Sequence, residues 1–300
     1  MLHNKGGIRM HPAKWRETID PFELDYHHFR LTEILGYPHA GNDVFHAKGI
    51  YQQQETEVYI KVARQQGADI RREIDTILKL NLELAPEIID YDQNREQFVV
   101  TIARQGERLS MLLNQNKDEK SMDYLFEYGQ TLAILHQAQG NFENVKDRRF
   151  FYIPPEEHFR ELRLEEVYHY LVKHKPEREN RCFCHGDFHY ANILWKEKHI
   201  SAILDFELSG MGNREFDIAW ALIVRPGQRF LLTEEEIREF LRGYASEGTF
   251  QEDLVRYYMV LIYSFFYKMG ETEYQDILIH PADIFPVGYI TVENVHDLLR

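Results

Sequence analysis

His185-Gly186-Asp187-Phe188-His189-Tyr190-Ala191-Asn192, followed after a short apolar hairpin by Ile203-Leu204-Asp205-Phe206-Glu207, is the stretch on which this 300-residue chain turns. Its chemistry is all oxygen. Asp187 and Asn192 stand five positions apart in one loop, and Asp205 ends the next apolar run. Moving a phosphoryl group requires a carboxylate that orients the attacking hydroxyl and accepts its proton. It also requires a carboxylate and an amide oxygen that hold Mg²⁺ on a triphosphate. Oxygen-only donors suit a hard cation of that kind. The spacing supplies each of these groups once.

Outward from that stretch, Ile193-Leu194-Trp195 and Ile200–Leu204 flank the polar Lys196-Glu197-Lys198, the pattern of a tight hairpin. Toward the N-terminus, short β-like runs dominate: Val44–Ala47, Val58–Ala63 and Gln97–Ile102. Between the last two, Ile70, Ile74, Ile77, Leu78 and Leu82 recur at spacings of three and four, which predicts an amphipathic helix over 68–82. After residue 104 the helical period takes over. Ser121 is expected to cap a helix carrying Leu125, Gly129, Leu132 and Leu135 on one stripe, and further helices are expected over 155–175, 216–224, 234–245 and 252–269. The expected fold class is α+β and bilobal: a small antiparallel-sheet lobe, residues 1–103, and a larger, mostly helical lobe, residues 104–300, with the catalytic loop and acceptor site.

Composition narrows the partners. A formal charge of −14 argues against nucleic acid or an anionic membrane surface, since neutralising phosphates needs basic patches. No apolar run approaches the ~20 residues that cross a bilayer, and the first residues lack the apolar core of a signal peptide, so a cytoplasmic location is expected. The two cysteines, Cys182 and Cys184, sit too close in sequence to staple a fold.

HGDFHYAN followed by LDFE resembles the aminoglycoside phosphotransferase and choline kinase group, distant relatives of protein kinases, and the resemblance extends along most of the chain. Val58–Val62 is similar to the strand that carries the nucleotide lysine, and Ile70–Ile74 to the helix whose glutamate anchors it. Leu132–His136 is similar to the helix end that precedes the catalytic loop, and Arg214–Ala219 to a motif whose aspartate, here Asp217, braces that loop. The resemblance implies a protein-kinase-like fold and transfer of the γ-phosphate of ATP, with Mg²⁺, to a hydroxyl of a small molecule: an aminoglycoside, choline-like amine, amino alcohol or sugar. It implies Asp187 as catalytic base, Asn192 and Asp205 as Mg²⁺ ligands, and Lys61 on the α- and β-phosphates, paired with Glu73. It implies adenine contacts from the connector at Thr101 and Ala103, and phosphate-loop contacts at Gly41 and Asn42. No GxGxxG is present there. Glu207 stands where a protein kinase has glycine, and an Ala-Pro-Glu segment is absent, which favours a small acceptor over a protein.

Other readings stand beside these. A catalytically silent, binding or structural member of the same fold is the rival, although all five key positions are filled. Cys182, Cys184, His185 and His189 suggest zinc, but strand alternation sends Cys182 and Cys184 to one face and His185 to the other. Buried thiols are expected instead. Phe150-Phe151-Tyr152 before Pro154-Pro155 reads equally as a lid or as a satellite core. Residues 233–276 hold ten acidic side chains against four basic. That surplus, with Glu207, points to an amine-bearing acceptor, although Glu234–Glu236 also suits a helix N-terminus.

Overall fold

The computed structural model describes residues 19–38, 42–64, 68–116, 119–162, 164–225 and 228–269, with side chains as far as 265. The chain divides into two compact units. One is Met1–Gln105 with Leu204–Glu207, and the other is Gly106–Ile203 with Leu208–Arg300.

In the first unit, β1 (Phe29–Gly36), β2 (Asp43–Tyr51), β3 (Gln54–Val62), β4 (Ile88–Tyr91) and β5 (Phe98–Ile102) form an antiparallel sheet in the order β1-β2-β3-β5-β4. Gln52 and Gln53, both at positive φ, make the two-residue turn between β2 and β3 whose twist suits a hairpin. Strand alternation sorts the faces. Val58, Ile60 and Val62 join Phe45, Ala47, Phe98 and Val100 in one apolar core. Lys61 therefore points to the opposite face, directly across from Val99. That face is covered by α1 (Ile70–Leu80), whose Ile70 and Ile74 pack on Val99. Asp69 caps α1 by accepting the N–H of Arg72 at 3.1 Å. Register thus places the one lysine of β3 under the helix.

The second unit holds α2 (Leu109–Gln115), α3 (Met122–His136), α4 (Glu156–Leu162), α5 (Glu165–Lys173), α6 (Arg214–Leu222), α7 (Glu234–Glu247) and α8 (Glu252–Met269). It also holds two short ribbons: β6 (Arg181–Cys184) with β9 (Gly210–Asn213), and β7 (Ile193–Lys196) with β8 (His199–Ile203). Glu197 and Lys198, at φ 52° and 68°, close the second ribbon. The main helix pair is α3 on α7, and two glycines let the backbones meet. A Cβ at Gly129 would lie 1.9 Å from the Phe240 carbonyl oxygen, and one at Gly243 1.8 Å from that of Phe126. Ser121 does not cap α3 with its side chain; its hydroxyl donates to Glu236 of α7. The helical pattern over 155–175 breaks into α4 and α5 at Leu164, which leaves helical dihedrals and donates its N–H to Phe159.

Candidate functional site

Lys61 is the hub of the first unit's polar cluster. Its Nζ lies 2.7 Å from Glu73 Oε2, 2.8 Å from Asp205 Oδ1 and 3.0 Å from Glu207 Oε2. Glu73 reaches it because α1 lies over that face of β3. Asp205 sits at φ 66°, a left-handed conformation that aspartate tolerates better than most residues. Burial alone would depress the Lys61 ammonium, but Glu73, Asp205 and Glu207 outweigh it and raise its pKa above the ordinary lysine value. Burial also pushes the Glu73 carboxyl up, against the pull of Lys61. Three carboxylates thus face one ammonium.

Asn42, expected in the phosphate loop, is tied into this cluster. Its Nδ2 donates to Glu207 Oε2 at 2.9 Å, and its Oδ1 accepts the N–H of Arg64. Glu207 also accepts the N–H of Asp69, at 3.2 Å. Glu207, expected from the sequence to see an acceptor amine, here meets Lys61. Gly41 lies outside the described residues. Thr101 pairs with Tyr59 and Ile88 within the sheet, and Ala103 donates its N–H to Glu57 at 2.9 Å.

The second unit holds the remaining motif residues. Gly186, at φ 80°, turns the chain out of β6; a Cβ there would lie 2.5 Å from the Leu208 carbonyl oxygen, so only glycine fits. Asp217, in the first turn of α6, braces the turn by accepting the N–H of His185 at 2.8 Å and of Gly186 at 3.0 Å. Behind it, His136 lies 3.1 Å from Asp217 through Nε2 and 2.7 Å from the Tyr244 hydroxyl through Nδ1. Burial opposes charge on this imidazole, but Asp217 and the Cys182 thiol prevail and push its pKa up to about 9. His136 stands beside Cys182 and Cys184, whose Sγ atoms are buried and 3.7 Å apart; His185 instead accepts the N–H of Asp187 at 3.2 Å.

Asp187 itself is held from three sides. Oδ1 accepts the indole N–H of Trp220 at 2.8 Å, and Oδ2 accepts Nδ2 of Asn192 at 3.2 Å. His189 places Nε2 3.5 Å from Oδ2 while its Nδ1 accepts the N–H of Ala191, which fixes the tautomer with the proton facing the carboxylate. Burial would raise the Asp187 pKa, but His189, Arg225 and Arg148 hold it well below the carboxylate range. With its amide nitrogen turned to Asp187, Asn192 has its carbonyl oxygen as the atom to offer a cation.

Trp220 and His189 were not singled out as contacts to Asp187 by the sequence, nor was Arg148 as the donor to the neighbouring Gly186 carbonyl. A tryptophan in an apolar helix reads as core, and Arg148 is distant in sequence. Phe150 and Phe151 resolve the open choice toward core: Phe150 packs on Trp220 and Phe265, Phe151 on Phe216, while Tyr152 is exposed.

Residues 42–256 match the model of the phosphotransferase enzyme family abbreviated APH. The chain belongs to that family. Over 97 residues it is 32% identical to an aminoglycoside 3'-phosphotransferase of Niallia circulans, a match spanning 36% of that relative's length. Among solved structures, this family member resembles a choline/ethanolamine kinase family protein from Mesorhizobium loti, with TM-score 0.53, 15% identity, and 96% and 91% of the two chains covered. It also resembles the streptomycin-ATP-APH(2")-IIa ternary complex, with TM-score 0.54, 16% identity, and 90% and 97% covered. The fold is the protein-kinase-like one expected of the sequence. No helix among the described residues is long and apolar enough to cross a membrane.

Proposed function

We propose that the chain is an ATP- and Mg²⁺-dependent small-molecule kinase that transfers the γ-phosphoryl group to a hydroxyl. The observation that carries this reading is the Lys61 cluster. Glu73, Asp205 and Glu207 set three carboxylates about the Lys61 ammonium, and all the offered donors are oxygens. A divalent hard cation fits both facts. When bound, Mg²⁺ would shield the triphosphate and draw charge off the leaving oxygen. The complexes of APH(2")-IIa with streptomycin and ATP, and of the amicoumacin kinase hAmiN with AMP-PNP and Ca²⁺, support nucleotide use by this fold.

The roles are assigned residue by residue. Asp205 and the Asn192 carbonyl oxygen would hold Mg²⁺. Lys61, oriented by Glu73, meets the α- and β-phosphates. Adenine lies on the connector, where Ala103 offers its carbonyl, because its N–H is committed to Glu57. Thr101 frames the same edge, and Asn42 acts through Glu207. Asp187 receives the acceptor hydroxyl. A carboxylate held below its usual range is a weak base, so its main contribution is to orient the nucleophile, with the proton following late, as a loose transition state permits.

The acceptor is a hydroxylated small molecule. Three of the carboxylates from which an amine was inferred have local partners. Glu234 pairs with Arg238 and Glu239 with Arg242, while Glu236 closes a capping box with Thr233.

The test is an ADP-release screen of hydroxylated metabolites and antibiotics with purified protein, followed by mass spectrometry of the product, with Asp187→Asn as control. Phosphorylated product that depends on Asp187 is expected. Failure of calorimetry to detect Mg²⁺-dependent ATP binding would overturn the reading.

A further inference from the structure

Behind the catalytic loop, the second unit gathers three donors that phosphoryl transfer does not use. His136, at the end of α3, meets Cys182 and Cys184 of β6, and the ligand atoms of all three lie within 4.8 Å of one another. All three residues are buried. Residues two apart in a strand share a face, so the pair of thiols would by itself mean no more than core packing. The histidine changes the reading, because it comes from another element and brings a nitrogen lone pair to the sulfurs. The sequence offered His185 for that part, but His185 turns to the N–H of Asp187. The imidazole on the thiol face is the one α3 delivers.

The dimensions suit a tetrahedral ion. Two thiolates bound to Zn²⁺ at ~2.3 Å stand about 3.8 Å apart, and the two Sγ atoms are 3.7 Å apart. Across the ribbon, Cys182 and Cys184 face Gly212 and Gly210 of β9, so the opposing positions bring no side chain against the thiols. Ligating imidazoles are oriented through their second nitrogen. Here the Tyr244 hydroxyl lies 2.7 Å from Nδ1 and Asp217 Oδ2 lies 3.1 Å from Nε2. Whichever nitrogen takes the ion, the other keeps an oxygen partner, and when Nε2 takes it Asp217 is placed to supply a fourth ligand. Asp217 keeps the N–H groups of His185 and Gly186 in either case. Two thiolates cancel the charge of a divalent ion, and two sulfurs with one imidazole select a thiophilic cation over Mg²⁺.

We propose that His136, Cys182 and Cys184 form a zinc site that fastens the end of α3 to β6 behind the catalytic loop. Binding sends the thiol protons, and any proton on the ligating nitrogen, to solvent and changes no oxidation state. Buried ligands make it a site of the closed, structural kind. Its donors differ in chemistry from the oxygens around Lys61, and it does not depend on the phosphotransferase reading.

The experiment titrates the full, reduced chain, first stripped of metal by a chelator, with Co²⁺ and then with Zn²⁺. A single equivalent of Co²⁺ is expected to bind with a thiolate-to-metal charge-transfer band and the intense visible bands of tetrahedral coordination, and Zn²⁺ should displace it. Thermal unfolding should move up by about 5 °C or more once free Zn²⁺ reaches ~100 times its dissociation constant. Cys182→Ser and Cys184→Ser should each lose most of the charge-transfer band, and His136→Gln should shift the visible bands. Ions held by carboxylates alone give no sulfur band, so the spectrum separates this site from the Lys61 cluster. Absence of that band in the unaltered protein, or an equal band in both cysteine variants, overturns the proposal. An unchanged spectrum in His136→Gln overturns the assigned ligand set. The unaltered protein decides the matter even if a variant fails to fold, and calorimetry of Mg²⁺-dependent ATP binding tests the phosphotransferase reading separately.

Discussion

Replacing Lys61 by methionine tests whether the first unit's cluster is a buried charge network or a surface pair. The Lys61 and Glu73 side chains are 15% and 8% exposed, and they meet at 2.7 Å. Removing one partner of such a pair strands the other, at a cost of about 3–5 kcal/mol. Asp205 stands at a similar distance but is 44% exposed, so water screens its share, and its coupling to Lys61 belongs in the ~0–1 kcal/mol range of exposed pairs. Lys61→Met is therefore expected to lower stability by about 3–5 kcal/mol at pH 7. A double-mutant cycle with Glu73→Gln should return most of that loss, and one with Asp205→Asn little of it. The pH dependence follows from Glu73, whose folded pKa burial already raises; without Lys61 it rises further. A carboxyl with a raised folded pKa is favourable below its unfolded value of about 4.3 and becomes a liability as pH rises through the folded value. The deficit of Lys61→Met should thus widen between pH 5 and pH 8. Urea unfolding of the full chain at several pH values measures it. A deficit under about 1 kcal/mol, or stronger coupling to Asp205 than to Glu73, would refute the argument.

Asp187→Asn should cut phosphoryl transfer by ~10²–10⁴-fold while Mg²⁺-ATP affinity by calorimetry persists; turnover at the unaltered rate would remove Asp187 from the mechanism. Asp205→Ala should abolish the Mg²⁺-dependent part of ATP binding, which calorimetry with and without the ion reads directly. Gly186→Ala must shift the loop away from the Leu208 carbonyl, and a cost of ~1–3 kcal/mol together with lost activity is expected. Glu236→Ala removes a capping box and the Ser121 contact at once, so thermal unfolding should show a loss of ~0.5–2 kcal/mol, with activity per folded molecule retained.

The features legible in the sequence were those set by short-range period and spacing. Alternation in β3 put Lys61 opposite the core residues, and the three-and-four spacing from Ile70 put a helix nearby; register across Val99 joined the two. The Asp187–Asn192 spacing likewise yields a real contact, because one turn of short helix over Tyr190–Asn192 brings the amide back to the carboxylate. What escaped depends on contacts between distant segments. Ser121 has the chemistry of a cap, yet Glu236 offers its hydroxyl a stronger, charged acceptor. Glu207 could be placed beside Asp205, but which way it turned depended on Asn42 and the start of α1.

The same distinction limits what counting charge along the sequence can say of the acceptor. Ten acidic residues over 233–276 describe a stretch of sequence, whereas an acceptor responds to the groups within a few ångströms of its hydroxyl. Charge in water is screened over about 8–10 Å, so exposed glutamates paired along α7 have little reach. Arg148 lies on the Trp220 ring beside a carboxylate that burial shields from solvent, where each charge acts at closer to full strength. Net charge along a helix is therefore a poor guide to the sign of a ligand, which is set by the groups the fold brings to the acceptor hydroxyl from distant segments.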